Sequence, residues 1–260
     1  MSKQKLTVVK VGGNVINNPV VLDQFLMEFA KVEGLKILVH GGGKRATQLA
    51  SDLGLEATMI QGRRVTDAAT LEIVTMVYAG LLNKNITATL QNYGSNALGL
   101  SGADANAIQA HKRIVKEIDY GFAGDVDAVN TSSISTFLEG GMTPVFCAIT
   151  HDNKGQLLNT NADTIAAAVA AGMSELYEVS LLYTFEKNGV LRSIDDENSV
   201  IEKISTDSYT SLKREGIIAD GMLPKLENCF DALHKGVVEV LIGSPSIISD
   251  KTQKYTTLTL

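Results

Sequence analysis

Val9-Lys10-Val11-Gly12-Gly13 puts a lysine beside two residues whose backbone N–H groups can approach an anion closely. A cation there can neutralise a phosphate, although read alone Lys10 could equally snorkel from a strand end into water. His40-Gly41-Gly42-Gly43-Lys44 is a second such cluster, and the pattern after it turns helical at once. A nest of N–H groups at a positive helix terminus holds a carboxylate or a phosphate. Gly41, Gly43 and Ala46 also fit the G-x-G-x-x-A pattern of a dinucleotide site. That site wants an acidic residue at the end of the next strand, where this chain offers Gln61-Gly62-Arg63-Arg64-Val65-Thr66. Nor does Gly43-Lys44-Arg45 complete a P-loop, which needs an earlier first glycine and a hydroxyl residue after the lysine.

Arg64 lies just before Thr66 and Asp67, plausible caps of the next helix, and an arginine there can clamp a carboxylate with two parallel hydrogen bonds. Arg63 reads as the exposed member of the pair. In Leu158-Asn159-Thr160-Asn161-Ala162-Asp163, Asn161 can cap the alanine-rich helix that follows and Asp163 complements its dipole, while Asn159 has hydrogen bonds to offer a substrate. Gly216-Ile217-Ile218-Ala219-Asp220-Gly221-Met222-Leu223-Pro224-Lys225 reverses the chain into a helix, leaving Lys225 in a first turn whose dipole disfavours it. A cation in an unfavourable place points to a purpose other than packing.

These residues need elements to carry them. Leu6–Val11, Leu35–His40, Ala97–Leu100, Thr143–Ile149, Leu176–Thr184 and Val237–Ile242 read as strands. Val20–Val32, Lys44–Leu53, Ala68–Leu82, Ser132–Leu138, Asp163–Ala171, Thr206–Glu215 and Pro224–His234 read as helices. The alternation predicts an α/β fold with a mainly parallel sheet covered on both faces. Ala107–Asn130 breaks the pattern and predicts a hairpin about Asp119-Tyr120-Gly121, and Lys254–Leu260 predicts a short edge strand. Ligands of such sheets bind beyond the carboxyl ends of the strands, where the glycines fall.

The 260 residues, 45% hydrophobic and 20% charged, suffice for a large core in one domain or two packed lobes. The net charge of -6 argues against nucleic acid, so any anionic ligand must meet positive charge locally. The longest apolar stretch, Ile165–Met173, falls far short of the roughly 20 residues of a membrane span. The N-terminus shows no signal-peptide pattern, and Cys147 and Cys229 have no metal-ligand spacing, so buried thiols in a reducing cytoplasm are expected.

Taken in order, K-V-G-G, H-G-G-G-K, G-R-R-V-T, N-T-N-A-D and G-I-I-A-D-G-M-L-P-K resemble the N-acetyl-L-glutamate kinase branch of the amino-acid-kinase family over essentially the whole chain. Aspartate kinases, glutamate 5-kinases and UMP kinases share the fold without this combination of motifs. The resemblance implies a three-layer αβα sandwich about a mainly parallel, roughly eight-stranded sheet. It also implies an acylglutamate-binding lobe over 1–174 and an ATP-binding lobe over 175–260. It assigns catalysis to Lys10, Lys225 and Asp163, and acylglutamate binding to Gly42, Gly43, Arg64 and Asn159. Gly12, Gly13, Glu186, Gly189, Ile217, Ile218 and Ala219 match nucleotide positions.

The implied reaction is phosphorylation of the γ-carboxylate of N-acetyl-L-glutamate by MgATP, the second step of arginine biosynthesis, with Mg²⁺ carried by the nucleotide and no protein metal site. Such chemistry needs positioning and charge neutralisation more than a general base, and the accepting carboxylate is already ionised. Two stretches depart from the family. Leu182–Val190 is longer and places Glu186 loosely where an aspartate is usual, and Ala148-Ile149-Thr150-His151 lacks a glycine on the substrate side. The second leaves N-succinyl-L-glutamate as an alternative substrate. A catalytically silent amino-acid sensor is a more distant alternative, which retention of Lys10, Lys225 and Asp163 opposes. Only nine residues precede Lys10, too few for the helix through which arginine-inhibited members form hexamers, so a homodimer insensitive to arginine is expected.

Overall fold

The computed structural model describes residues 3–60, 62–218, 222–250 and 252–260. Internal contacts divide the chain into two compact units, one formed by 1–36 with 166–260 and the other by 37–165. This partition is not the 1–174 and 175–260 lobe division expected from sequence, since the first strand groups with the C-terminal part.

In the discontinuous unit five strands stand in the order Lys203–Ser205, Thr256–Thr259, Glu239–Gly243, Glu178–Thr184, Lys5–Val11. Their β-branched and leucine side chains are buried on both faces, as a helix-covered parallel sheet requires. The first strand runs parallel to Glu178–Thr184 with Lys10 opposite Tyr183 and Val11 opposite Thr184. Only Thr256–Thr259 is antiparallel to its neighbour Glu239–Gly243. The helix Pro19–Lys31 begins at Asn18, whose side chain accepts from the N–H groups of Val20 and Val21. It ends against the buried Lys36, whose ammonium donates to the carbonyls of Ala30 (2.6 Å) and Val32 (2.7 Å) and lies 5.4 Å from the Phe29 ring centroid. Those bonds supply orphan helix-end carbonyls with a donor. The helix Met222–His234 buries Leu226, Cys229, Phe230 and Leu233, an i, i+3, i+4, i+7 stripe.

In the continuous unit the strands Leu35–His40, Thr143–Phe146 and Ala97–Leu100 run parallel in that order. Five strands in one unit and three in the other give the eight expected. Beside them Leu157–Thr160, Ala123–Val129, Ile108–Lys112 and Ile149–His151 close a small barrel. The expected hairpin is there, Ile108–Lys112 pairing antiparallel with Ala123–Val129. Three expectations need correction. Thr143–Ile149 is two strands, because after Phe146 the chain leaves the parallel sheet at Cys147-Ala148 to enter the barrel at Ile149. The helix expected at Ala68–Leu82 continues to Asn92, passing through a π-helical stretch, Met76–Leu82, in which Asn83 N–H bonds the carbonyl of Tyr78. Arg64, expected in a loop, ends a two-residue strand paired with Met59–Ile60. Among the described residues, no helix is long and apolar enough to cross a membrane.

Gly102 shows how tightly the barrel is closed: a Cβ there would lie 2.7 Å from the Ile108 carbonyl and 3.1 Å from Thr150 Cα, backbone that no rotamer change can move. Gly102→Ala is therefore expected to destabilise the fold by about 1–3 kcal/mol, as overpacking does. Urea unfolding followed by circular dichroism measures it, and an unchanged midpoint would contradict this account.

Candidate active site

The strand Leu35–His40 delivers the glycines to the end of the three-stranded sheet. His40 is fully buried, with Nδ1 2.8 Å from the Gly41 carbonyl and Nε2 3.1 Å from Asn83 Nδ2. The carbonyl can only accept, so Nδ1 carries the proton and Nε2 accepts from Asn83. Asn83 Nδ2 also donates to the Val145 carbonyl (2.9 Å). Burial holds His40 neutral by pushing its pKa down to about 4, against a smaller upward pull from its bond to Gly41.

The helix Gly43–Asp52 starts directly after Gly42, so its first N–H groups face the region beyond the strand end. A Cβ on Gly42 would lie 2.5 Å from Leu82 Cδ1 and 2.7 Å from Tyr78 Cδ1. Both belong to the π-helical stretch. Only a glycine lets the loop pass that close.

A cavity of about 190 Å³ opens here, lined by the three glycines with Arg63, Arg64, Tyr78, Arg113, Asn159 and Ala162, among others. Three of its walls were legible as sites: Gly42 with Gly43, Arg64, and Asn159. Arg64 is buried, and its Nη2 donates to the Gly43 carbonyl (3.0 Å) and to Thr47 Oγ1 (2.7 Å). The Tyr78 hydroxyl lines the same cavity and feels the Arg64 charge. Asn159 Nδ2 donates to Thr66 Oγ1 (2.9 Å), which fixes the amide's orientation on its strand. Thr66 is thus tied to the barrel strand that carries Asn159, while Asp67 caps the following helix by accepting from Thr70 N–H (2.8 Å). Asn161 does cap its helix, accepting from the N–H groups of Asp163 and Thr164.

Arg63, expected to be merely exposed, is half-buried and lines the cavity. Arg113 forks onto Asp125, with Nε 3.0 Å from Oδ2, and lies over the Tyr120 ring. Burial pushes the Asp125 carboxyl up, but the hydrogen bonds and charge of Arg113, with the charge of Arg63, hold it below the usual carboxylate range. Arg63, Arg113 and Tyr78 were missed from sequence. The arginine pair 63 and 64 was a usable signal, whereas Tyr78 looked like an ordinary core position of its helix.

In the other unit, Lys10 is buried at the strand end and opposite Tyr183, over whose ring Lys225 Nζ lies at 5.5 Å, with the Phe185 ring at 5.9 Å. The two lysines are therefore gathered about the same strand terminus. Gly12 caps the short helix Gly13–Ile16, and a Cβ on it would lie 2.7 Å from the Thr184 carbonyl. Asn14 in that helix donates to the exposed Glu186 carboxylate, bringing Glu186 to the glycine turn. Gly189 is buried, with room for no Cβ beside Thr256 Oγ1 and Val200. Ile217 is half-buried and Ile218 buried, their N–H groups bonded to the Leu212 carbonyl. Ala219 lies outside the described residues. Among the described residues, no three His, Cys, Asp or Glu side chains gather as a metal site.

Glycine turns at strand ends, an arginine-lined cavity and a lysine pair gather N–H groups and cations at the carboxyl ends of the strands of an α/β protein. The amino acid kinase family model matches residues 5–244, and the chain belongs to that family. It is 51% identical to the acetylglutamate kinase of Phocaeicola vulgatus over 248 residues, 95% of this chain and 96% of that one. It is 52% identical to the acetylglutamate kinase of Bacteroides fragilis over 246 residues, 95% and 94% of the two chains. In structure it resembles smu.665 of Streptococcus mutans, with a TM-score of 0.77, 25% identity and 98% of each chain covered. The dinucleotide reading of the glycine pattern is thereby set aside.

The buried neutral His40 makes a pH prediction. Its folded pKa lies below the unfolded value of about 6.5, so the unfolded chain binds more protons between these values and stability falls with falling pH. The contribution is present in full above about pH 6.5 and is lost towards about pH 4, amounting to roughly 3 kcal/mol. His40→Asn is expected to flatten the stability–pH slope in that window. Equal slopes for the two proteins in denaturant titrations from pH 7 to pH 4 would contradict it.

Proposed function

We propose that this chain transfers the γ-phosphoryl group of ATP to the γ-carboxylate of N-acetyl-L-glutamate, giving an acyl phosphate and ADP, in the second step of arginine biosynthesis. One observation carries the reading of the site. Among the described residues, Arg64 is a buried cation whose hydrogen bonds go to a carbonyl and a hydroxyl, both uncharged. Burying a charge without an opposite one is costly, so the cavity is built for an anionic ligand. The names of its relatives support acetylglutamate as that ligand.

The carboxylate that Arg64 clamps is the α-carboxylate, because a guanidinium paired with the γ-carboxylate would weaken it as a nucleophile. Asn159, Gly42 and Gly43 supply further donors and hold the γ-carboxylate in line. An oxygen of that group forms the new bond to phosphorus as the bond to the bridging oxygen of ADP breaks. Lys10 and Lys225 neutralise the charge spread over the transferring group, and Asp163 organises them. Gly12 and Gly13 receive the phosphates, with Glu186, Ile217 and Ile218 beside the nucleotide. Gly189 acts by shaping the chain there. Mg²⁺ arrives on the nucleotide's phosphates. The exposed Met76 and Leu81 support a homodimer, and the reaction places the protein in the cytoplasm.

A second reading, N-succinyl-L-glutamate as acceptor, is favoured by one feature: Arg63 and Arg113 line the same cavity as Arg64. Their cluster with Asp125 carries one positive charge more than negative, which a terminal carboxylate on the acyl group would match.

ADP release with MgATP is to be measured against N-acetylglutamate, N-succinylglutamate, glutamate, aspartate and UMP. Turnover is expected with an acylglutamate and not with the others, and its absence with both acylglutamates would refute the proposal. Lys225→Ala should lower kcat by about 10²–10³ while KM changes by no more than a few-fold. An effect confined to KM would remove Lys225 from the transition state.

A further inference from the structure

We infer that the Tyr78 hydroxyl is a substrate-binding group, donating a hydrogen bond to the same α-carboxylate that Arg64 holds. The inference rests on the acylglutamate reading above and extends its site by a residue that none of the motifs contains.

Tyr78 is placed by an unusual piece of backbone. Its helix runs as an α-helix to Thr75, widens to π geometry over Met76–Leu82 and returns to α at Asn83. Such widening adds a residue to the turn and recurs at functional sites. Here it turns two buried side chains five residues apart towards one strand end: Asn83 meets His40, and the Tyr78 ring fills the space that a Gly42 side chain would occupy. The ring is immobilised by that fit, and the hydroxyl is carried to the cavity wall, 3.9 Å from where a Cβ on Gly43 would stand.

The hydroxyl's direction follows from its partner. A guanidinium has only donors, so towards Arg64, which lines the same cavity, the phenol oxygen can only accept, and its own proton stays available to give. Burial raises the Tyr78 pKa, against the opposing pull of Arg64, so the proton is retained at neutral pH. An anion bound to Arg64 in this cavity has that O–H as the next donor. Donation to a charged acceptor is worth more than to a neutral one.

Tyr78→Phe keeps the ring, and with it the packing on Gly42, while removing the donor. KM for N-acetyl-L-glutamate is expected to rise about tenfold, with kcat, the KM for ATP and the thermal midpoint unchanged. The deciding arm uses N-acetyl-L-isoglutamine, whose α-carboxylate is an amide and whose γ-carboxylate remains free to accept phosphate. Against this substrate wild type and variant should have KM values within about twofold, because the charged acceptor is gone. An equal rise for both substrates would mean that the hydroxyl acts only through the shape of the site, and an unchanged KM for both that it does not reach the ligand. Either overturns the inference and leaves the kinase reading standing. Failure of the wild-type protein to turn over any acylglutamate would instead remove the reading and the inference together.

Discussion

The candidate acceptor site depends on a side chain that is missing. Gly42 has no Cβ, and the space one would need is filled by Tyr78 and Leu82 from the π-helical stretch. That close approach brings a glycine loop, a tyrosine and the carbonyl that binds Arg64 into one packed unit. Close packing of this kind is bistable rather than pliable, so a single added methyl group forces a shift in loop or helix. Below it, the His40 ring fixes the Gly41 carbonyl, and Asn83 uses both amide hydrogens to hold the ring and the next strand. Every polar group in that chain has its proton assigned by its neighbours, which rigidifies the loop without burying a net charge.

Charge is concentrated elsewhere, and its distribution is what makes phosphoryl transfer reasonable for a protein of net charge -6. In the continuous unit the hydrogen bonds of Arg64 go, among the described residues, to neutral acceptors. In the discontinuous unit Lys10 and Lys225 converge on Tyr183 at the end of a central strand. Aromatic faces tolerate an ammonium well. Both units thus hold cations near strand ends, and a reaction moving a polyanionic group calls for such charge. A general base would add nothing, because the nucleophile enters already ionised.

The sequence was most informative where one residue's chemistry decides the local structure. Glycines at strand ends, Asn161 as a helix cap and the apolar runs of the parallel strands all announced themselves, since each depends on neighbours within a few positions. The hairpin over Ala107–Asn130 was legible from its alternation for the same reason. What was hidden depends on distant partners. Nothing local says that Thr143–Ile149 must break, because the break at Cys147-Ala148 lets one chain serve a parallel sheet and then a barrel. Nothing local says that the helix after Ala68 should widen, because the reason is a glycine more than thirty residues earlier in the chain. Arg63 was read as solvent-facing because a loop arginine is ordinarily solvated, and the structure instead half-buries it at the cavity wall.

That last point bears on how the site chooses its ligand. Arg63 and Arg64 are adjacent on a two-residue strand, yet their surroundings differ in kind. Arg64 donates to a carbonyl and a hydroxyl and, among the described residues, forms no ion pair, so on the proposed reading an arriving carboxylate meets no competing acid. Arg63 feels Arg113 and Asp125, and its pKa is lowered first by burial and then by Arg113, with Asp125 opposing. Its charge is partly spoken for. A small neutral acyl group can lie against that partly compensated cluster, whereas an acidic one would draw Arg113 from Asp125 and gain only the difference. On the proposed reading the α-carboxylate is the anchor that Arg64 reads for any N-acylglutamate, and discrimination between acyl groups falls to the balance of Arg63, Arg113 and Asp125.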